Sequence, residues 1–476
     1  MRTNLRAKLP SDLAARLESQ LGKEEFDAFL SSLEEESRHG LRCNTGKITI
    51  SELVKLLPFP VHPVPWTPAG FRFSADERPG ILPFYQAGLY YLQEPSAMAP
   101  AEMLDVKPGE RVLDLCAAPG GKSTQLAAAL SGEGLLVAND PNPKRIKSLI
   151  WNLEHWGATN AVVLNEEPRR LAAAFPGYFD KILIDAPCSG EGMLRKEPNA
   201  IHSWRRYSGQ ACRIVQDEIL DQAALMLRDG GRIVYSTCTF NPMENEEAVA
   251  AFLKRQTGFS LLPLPYYNGW KPGDTLMECR QLWPHLVEGE GQFLASFEKS
   301  RHNADSRHSA DGRQTRARER ESPGDAFSAA PSEDLSSRTP GGELEPFLEF
   351  IRAHLASPPK ANYELYHGHV YQRPAGLPDL AGLKVSRPGW YQGVIRNGRF
   401  VPAQPLAMGL EAKQFKRKLD LDPLGELPAR YLRGETLMLE GEPGWTLVTM
   451  GGFPLGFGRQ TGSYLKNDYA SGWRKV

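Results

Sequence analysis

The segment VLDLCAAPGGKSTQLAAAL (112–130) decides the fold of this chain. It predicts a short apolar strand, VLDL (112–115), a tight turn and then a helix. Gly120 and Gly121 let the backbone of the turn approach a ligand closely. The helix that follows begins with free N–H groups and with the positive end of its dipole. The segment therefore predicts a strand, loop and helix that together bind a ligand.

Strand and helix patterns alternate from about residue 100 to residue 300. Further strands are predicted at 134–139, 161–164, 181–185 and 232–236. Apolar residues at three- and four-residue steps predict a helix that ends at Gly157, and Val215, Ile219, Ala223 and Leu227 mark a later one. This alternation predicts parallel pairing and a doubly wound, Rossmann-like α/β sheet.

The pattern divides the chain into five parts. Residues 1–95 predict a small mixed α/β region, and 96–300 hold the α/β sheet. Residues 301–342 contain only Phe327 and Leu335 as large apolar residues, so we expect a flexible linker that buries no core. An intermediate region follows at 343–400. Short strands separated by Gly and Pro, among them 436–440 and 446–450, predict a β-rich domain at 401–476.

Composition excludes several classes of protein. The chain has 476 residues, of which 41% are apolar and 24% charged, as in ordinary globular proteins. It has no run of 18 apolar residues and no apolar core near its N-terminus, so we expect neither a membrane span nor a signal peptide. The six cysteines stand apart, without a CxxC pair. We therefore expect no bound metal and a cytoplasmic protein.

Charge is distributed unevenly. The formal net charge is −1, yet residues 381–476 contain 14 Lys or Arg against 8 Asp or Glu. A basic segment on a nearly neutral chain is typical of a polyanion partner, although a solvated surface also explains it. Within the segment, KQFKRK (413–418) is a candidate for phosphate contacts. Arg195 and Lys196 are candidates for steering a nucleic-acid strand.

The glycine loop admits three classes of cofactor. A phosphate loop requires glycine where the chain has Cys116, and the dinucleotide motif G-x-G-x-x-G is absent. S-adenosylmethionine remains, since it carries a carboxylate, an ammonium and a ribose but no phosphate. Asp114 fits the ammonium. Asp140, 19 residues after Gly121, fits the ribose hydroxyls, although it would also serve as a helix cap.

Two cysteines follow predicted strands. KILIDAPCSGEGMLRKEP (181–198) places Asp185 and Cys188 after one strand, and GGRIVYSTCTFNPMENEE (230–247) places Cys238 after the next. In a doubly wound sheet these side chains meet at one rim. A thiolate that adds to C6 of cytosine makes C5 nucleophilic enough to accept a methyl group. The residues by themselves leave open which cysteine attacks.

Three long motifs carry a resemblance to a known family. DLCAAPGGK (114–122), DAPCSGEG (185–192) and YSTCTFNPMENE (235–246), with YYLQEPSAM (90–98) upstream, resemble the signatures of RNA cytosine-5 methyltransferases of the Nop/Sun type. The resemblance covers about 40–300. Segments 387–408 and 452–473 look like the PUA-like RNA-binding region of members that act on bacterial small-subunit ribosomal RNA.

The resemblance implies a role for each matching residue. Cys238 is the nucleophile, Cys188 assists product release, and Asp185 faces N3 of the base. The ribose of S-adenosylmethionine lies at Asp140. The remaining expected cofactor residues are Asp114, Cys116, Ala117, Ala118, Pro119, Gly120, Gly121, Lys122 and Asp185. An aspartate usual near the adenine is replaced here by Glu167, with Glu166 as a close rival.

The implied partner is RNA, either ribosomal small-subunit RNA or an assembling subunit. Two alternatives remain at this stage. The same chemistry on transfer RNA is one, and a non-catalytic ribosome-assembly factor that binds RNA is the other. The presence of Asp185, both cysteines and the glycine loop argues against the second. A small-molecule methyltransferase is disfavoured by the paired cysteines and the basic C-terminal segment.

Overall fold

The computed structural model describes residues 9–196, 201, 204–205, 209–301, 342–359 and 361–474. The predicted linker, 301–342, lies outside the described residues except for Arg301 and Gly342. The described chain contains one large sheet and three sheets of four strands.

The N-terminal region pairs two helices with a small antiparallel sheet. Its elements are α1 Ser11–Leu21, α2 Lys23–Leu33, β1 His39–Cys43, α3 Ile50–Leu56, β2 His62–Pro63, β3 Gly70–Phe73, α4 Pro83–Gln86 and β4 Tyr90–Leu92. The sheet has the strand order β2-β3-β1-β4. Thr49 and Glu52 form a capping box that starts α3.

The middle of the chain forms the large sheet. Its elements are α5 Ala99–Met103, β5 Arg111–Asp114, α6 Gly121–Ala129, β6 Leu135–Asn139, α7 Pro143–Trp156, β7 Ala161–Leu164, α8 Pro168–Ala174, β8 Phe179–Asp185, α9 Gly209–Met226, β9 Leu227–Thr237, α10 Glu246–Arg255, β10 Phe259–Leu262, β11 Trp270–Pro272, β12 Arg280–Leu282 and β13 Gln292–Lys299. Strands β7-β6-β5-β8-β9 are parallel neighbours, and β13 runs antiparallel to β9. The predicted doubly wound sheet is confirmed.

Apolar residues cover both faces of this sheet because neighbouring side chains of a strand point to opposite sides. Leu113 and Ile182 pack on one face with residues of α8 and α9. Val112 and Leu183 pack on the other face with α6 and α7. Both faces are therefore dry, which is why the strands read as continuous apolar runs.

The prediction of which residues form the buried face of α9 is partly wrong. Ile219 and Ala223 are buried as expected, but the side chain of Val215 is 45% exposed. The helix also ends earlier than predicted, because the backbone becomes extended at Leu227.

The C-terminal part builds two more sheets. Its elements are α11 Glu345–His354, β14 Asn362–Tyr366, β15 His369–Arg373, β16 Val385–Arg387, β17 Trp390–Arg396, β18 Arg399–Pro402, α12 Gln404–Gly409, β19 Lys418–Leu421, α13 Leu427–Leu432, β20 Gly444–Met450, β21 Phe453–Gln460 and β22 Leu465–Asn467. The sheet orders are β14-β15-β17-β18 and β19-β20-β21-β22. Strand β16 joins the large sheet beside β7. The strand predicted at 436–440 does not form; only Leu437 makes an isolated bridge, with Leu465.

The first and last parts of the chain share one core. Leu41 and Tyr90 from the N-terminal sheet pack in the same cluster as Val448 and Tyr469 from the last domain. Trp473, near the C-terminus, contacts Trp151 of α7 with the ring centres 5.6 Å apart. The C-terminal domain is therefore fixed against the body of the protein. Among the described residues, no helix has the length and apolar character that crossing a membrane requires.

Candidate active site

The glycine loop connects β5 to α6 and leaves the helix end open. Gly120 is the N-cap of α6 with φ +115°, a backbone conformation that favours glycine, and it has no side chain to cap the helix. A Cβ on Gly121 would lie 3.2 Å from the ring of Tyr91. The positive φ thus favours glycine at position 120, while a side chain at position 121 would require the Tyr91 ring to shift; the first N–H groups of α6 face the loop.

Two acids support this loop, and both are buried. The Oδ2 atom of Asp114 accepts a hydrogen bond of 2.6 Å from the Ser123 hydroxyl, while its Oδ1 has no hydrogen-bond partner in the described structure. Burial raises the pKa of Asp114 to about 7. Asp140 Oδ2 accepts the Ala118 N–H and pairs with Arg145 at 3.0 Å. Asp140 therefore holds the loop to the end of β6.

These residues suit the cofactor expected from the sequence. The orphaned Oδ1 of Asp114 can accept a hydrogen bond from an ammonium, and the uncapped start of α6 accepts a carboxylate. Neither feature calls for a phosphate. The donors and acceptors present therefore fit S-adenosylmethionine, and the assignment of individual contacts stays a prediction.

Arg42 supports the glycine loop from the N-terminal region. Its buried guanidinium donates hydrogen bonds to the Gly121 carbonyl at 3.0 Å and to the Thr124 hydroxyl at 2.6 Å, both in the first turn of α6. It also donates to Gln93 at 3.2 Å and lies 4.7 Å from the centre of the Trp156 ring. Burial lowers its pKa to about 10. The sequence singled out the motif that contains Gln93 but gave no sign of this contact.

Glu166 and Glu167 lie at the end of β7 in contrasting environments. Glu167 is exposed at the N-cap of α8. Glu166 is buried, accepts the Lys384 N–H at 2.8 Å and pairs with Arg170 at 3.0 Å. Glu166 thus ties the C-terminal part to the large sheet. The expected contact of Glu167 with adenine remains a prediction.

Asp185 lies at the end of β8, beside the glycine loop. Its Oδ2 accepts a hydrogen bond of 2.7 Å from Lys122, and its Oδ1 accepts one of 2.8 Å from the Ser236 hydroxyl. Gln292 donates to the same Oδ1 at 3.4 Å. Burial alone would lower the pKa of Lys122, but the Asp185 carboxylate raises it. Lys122, expected in the cofactor loop, therefore also belongs to the site around Asp185.

The two predicted cysteines meet at this rim. Their Sγ atoms are 3.3 Å apart, within hydrogen-bonding distance for sulfur. The hydrogen bond with Cys238 and burial together hold the pKa of Cys188 well above its usual range. Cys188 therefore stays protonated near neutral pH, and either thiol can be the donor of the hydrogen bond between them.

Two expected nucleic-acid contacts are wrong or weakened. The Arg195 side chain is 1% exposed and pairs with buried Glu290 at 3.1 Å, so it cannot steer a strand. Within KQFKRK, Lys416 donates to the Arg352 carbonyl at 2.9 Å, at the end of α11. Lys413 and Arg417 pair with nearby glutamates. Local sequence could not reveal the partners of Arg195, Lys416 and Arg417, because they lie far away along the chain, whereas Glu411 lies close to Lys413 in the sequence.

The described His, Cys, Asp and Glu side chains form no group of three or more that could hold a metal ion.

The sheet order, the glycine loop at its switch point and the paired cysteines define a Rossmann-like methyltransferase. Residues 101–298 match the family model described as 16S rRNA methyltransferase RsmB/F. Residues 9–95, 349–410 and 418–475 match the N-terminal, first C-terminal and PUA domains of RsmF. The chain belongs to the RsmB/F family of 16S rRNA methyltransferases, and the expected PUA-like domain is confirmed.

Curated relatives agree with this assignment. Ribosomal RNA small subunit methyltransferase F from Escherichia coli (strain SMS-3-5 / SECEC) is 36% identical over 310 residues, covering 63% of this chain and 62% of the relative. The same figures hold for the protein of that name from Shigella boydii serotype 18. The alignment thus spans less than two thirds of the length of these relatives.

Solved structures share the fold. A methyltransferase homolog protein from Pyrococcus horikoshii is 32% identical with a TM-score of 0.54, covering 61% of this chain and 95% of that one. NSun6 from Pyrococcus horikoshii with SFG is 22% identical with a TM-score of 0.55, covering 62% and 99%. The second likeness supports the fold alone.

Proposed function

We propose that this protein transfers a methyl group from S-adenosylmethionine to C5 of cytosine in RNA, with small-subunit ribosomal RNA as the substrate. One observation carries the chemistry: the thiols of Cys188 and Cys238 lie 3.3 Å apart on a rim shared with Asp185 and the glycine loop. A buried structural cysteine needs no second thiol and no neighbouring ion pair. The family and the curated relatives support the proposed substrate class.

In the proposed reaction Cys238 is the nucleophile. Its sulfur adds to C6 of the base, which places electron density on C5. The cofactor, when bound, supplies the methyl group that C5 attacks. A base then removes the C5 proton, and the bond between C6 and Cys238 Sγ breaks, which restores the aromatic ring and releases Cys238 as a thiolate. Cys188, held protonated beside Cys238, assists this release.

Asp185 and Lys122 orient the base in this proposal. In this role the Asp185 carboxylate, paired with Lys122 at 2.7 Å, would accept a hydrogen bond from the exocyclic amino group of cytosine and from N3 once N3 carries a proton. Ser236 and Gln292 fix the carboxylate from the other side. A carboxylate held in a fixed position can orient the cytosine ring for attack by the Cys238 sulfur at C6. The base must leave its stack to reach Cys238, so the target is unpaired or flipped.

The test uses S-adenosylmethionine with a tritiated methyl group. The full chain is incubated separately with small subunits, naked ribosomal RNA and bulk transfer RNA, and the labelled nucleoside is identified after digestion. We expect 5-methylcytidine from a ribosomal small-subunit substrate. Label in transfer RNA alone would overturn the substrate. Confirmed cofactor binding without label in any pool would favour the non-catalytic alternative.

Two cysteine variants separate the roles. Cys238→Ala should abolish transfer while cofactor affinity changes by no more than a few-fold, since Cys238 lies outside the glycine loop. Cys188→Ala should accumulate a covalent protein–RNA adduct on a denaturing gel, because release is slowed. Turnover by Cys238→Ala at the wild-type rate would refute the assignment of the nucleophile.

A further inference from the structure

Two buried carboxylates connect the loops that carry the two cysteines. Each loop supplies one carboxylate, which binds the backbone of the other loop. We call Pro187–Gly192 the Cys188 loop and Cys238–Glu244 the Cys238 loop. Glu244, from the Cys238 loop, accepts the Ser189 N–H at 3.0 Å. Glu191, from the Cys188 loop, accepts the Phe240 N–H at 3.1 Å. Each loop thus fixes the backbone of the other next to its cysteine.

The backbone of the two loops also meets directly. The Gly192 N–H donates to the Cys238 carbonyl at 2.8 Å. A Cβ at Gly192 would lie 2.7 Å from the backbone of Gly291. Gly291 thus packs tightly against Gly192, the residue that binds the Cys238 carbonyl and so connects the two loops.

The two carboxylates differ in what compensates their charge. Glu244 is held by neutral donors, the Ser189 hydroxyl and the amides of Gln216 and Asn241, and burial raises its pKa. Glu191 accepts the Trp204 indole N–H at 2.9 Å and forms an ion pair with Arg16. Arg16 belongs to α1, in a different part of the chain.

Apolar packing holds α1 and α2 against the same loop. The ring of Phe29, in α2, meets the ring of Phe240 edge to face with centres 5.6 Å apart. Phe240 stacks on Trp283 at 3.9 Å. Arg16 also donates to the Phe240 carbonyl at 3.4 Å. Phe240, two residues after Cys238, is therefore fixed by the N-terminal helices through both its ring and its backbone.

We infer that Arg16 is a positioning residue for the cysteine pair. Its guanidinium pairs with the buried Glu191 carboxylate and holds it in place, and Glu191 in turn holds the Cys238 loop against the Cys188 loop. Removal of Arg16 leaves the buried Glu191 carboxylate without its cation, so the carboxylate must admit water or move. Each response disturbs the Phe240 N–H and so the spacing of the thiols. The consequence for turnover rests on the function proposed above.

The experiment compares Arg16→Met with a matched control in the full chain. Lys271→Met removes another ion pair between the same helices and the body, the pair of Lys271 with Glu25 at 3.0 Å. The side chains of Arg16 and Lys271 are similarly exposed, 29% and 31%. Only the first pair reaches the cysteine loops. Arg16→Lys, which keeps the charge, is the conservative variant.

The first readout is independent of RNA and cofactor. Diamide takes two electrons and two protons from neighbouring thiols and links them as a disulfide, so the rate of the Cys188–Cys238 link, followed by peptide mass spectrometry, reports their alignment. We expect Arg16→Met to slow this link about tenfold, as an error in alignment of below 1 Å would. Arg16→Lys should recover part of the rate, and Lys271→Met should match wild type.

The second readout is turnover. Arg16→Met should lower kcat by a similar factor while KM for S-adenosylmethionine stays within about twofold, because Arg16 is remote from the glycine loop. In a Glu191→Gln background the amide still accepts the Phe240 N–H and needs no cation. In the Glu191→Gln variant, adding Arg16→Met should change neither the disulfide rate nor the turnover rate. This comparison remains valid even if Arg16→Met alone is poorly folded.

Wild-type disulfide rates in Arg16→Met, or an equal loss in Lys271→Met, would overturn the inference. A chain without methyltransferase activity on any RNA would refute the proposed function, yet the disulfide rates would still decide the role of Arg16.

Discussion

Replacing Arg42 by methionine tests whether the N-terminal region supports the glycine loop. Methionine keeps much of the apolar stem but removes the guanidinium. Three hydrogen bonds disappear, to Gln93, to the Gly121 carbonyl and to Thr124, together with the contact over the Trp156 ring. We expect a less stable chain that binds S-adenosylmethionine more weakly.

The magnitude follows from two opposing effects. A hydrogen bond from a charged donor contributes about 1.5–3 kcal/mol, and a desolvated cation over a ring about 1–2 kcal/mol. Against this, burial lowers the pKa of Arg42 from its usual value to about 10. At about 1.4 kcal/mol per pKa unit, that burial costs roughly 3 kcal/mol, which the substitution recovers. The expected net loss in the free energy of unfolding is about 2–8 kcal/mol.

Part of this loss should appear at the cofactor site, because two of the three acceptors lie in the first turn of α6. A tenfold increase in the dissociation constant of the cofactor corresponds to a loss of about 1.4 kcal/mol in binding free energy. Isothermal titration with S-adenosylmethionine and thermal unfolding measure the two effects. Arg42→Lys should have a stability and a cofactor affinity between those of wild type and Arg42→Met, since one ammonium cannot reach all the acceptors of a planar guanidinium. Lys55→Met, an exposed cation of the same region, is the control.

An Arg42→Met variant that melts and binds the cofactor like wild type would refute this reasoning. A loss of stability with unchanged cofactor affinity would show that Arg42 joins the two regions without shaping the loop.

Three further predictions concern the loop, the cysteine site and the last domain. Because burial raises the pKa of Asp114 to about 7 and an ammonium favours the ionised form, cofactor affinity should fall as the pH drops from 8 to 6; Asp114→Asn should show a flatter profile, and an equal slope would contradict the assignment. Gly192→Ala should cost about 1–3 kcal/mol and slow turnover because its methyl meets Gly291, whereas Gly258→Ala, with open space around it, should do neither in unfolding and rate assays. Removal of 418–475 should uncover the shared core and increase binding of a hydrophobic dye; a truncated chain with unchanged dye binding and melting would disprove that the core is shared.

Much of the site could be read from local sequence. Asp114 and Asp185 each end an apolar strand, and parallel strands bring their carboxyl ends to one rim. The order of the strands therefore predicted that the glycine loop and the cysteines would be neighbours. Pairing of adjacent strands β8 and β9 brings the loops with Cys188 and Cys238 together, and contacts between these loops accompany the 3.3 Å separation of the thiols.

Expectations about surface charge fared less well. Arg195 follows the motif that contains Cys188, and the sequence predicted an exposed cation there. In the structure Arg195 is buried and forms an ion pair with Glu290, 95 residues later. Val215 has helical spacing but faces solvent. Whether each side chain is buried depends on residues that are distant in the sequence. The local pattern of residues therefore could not predict the exposure of Arg195 or Val215.

The sequence by itself determined the doubly wound sheet, the cofactor loop and the catalytic candidates, because these depend on periodicity and on residues at strand ends. Tertiary structure alone decided that the N-terminal region supports both halves of the site, through Arg42 at the glycine loop and Arg16 at the cysteine loops. It also decided that the first and last domains share a core. The physical reason is the same for each. A buried charge or an apolar face finds its partner through packing of the whole chain, and the short-range pattern of residues does not encode which distant segment supplies it.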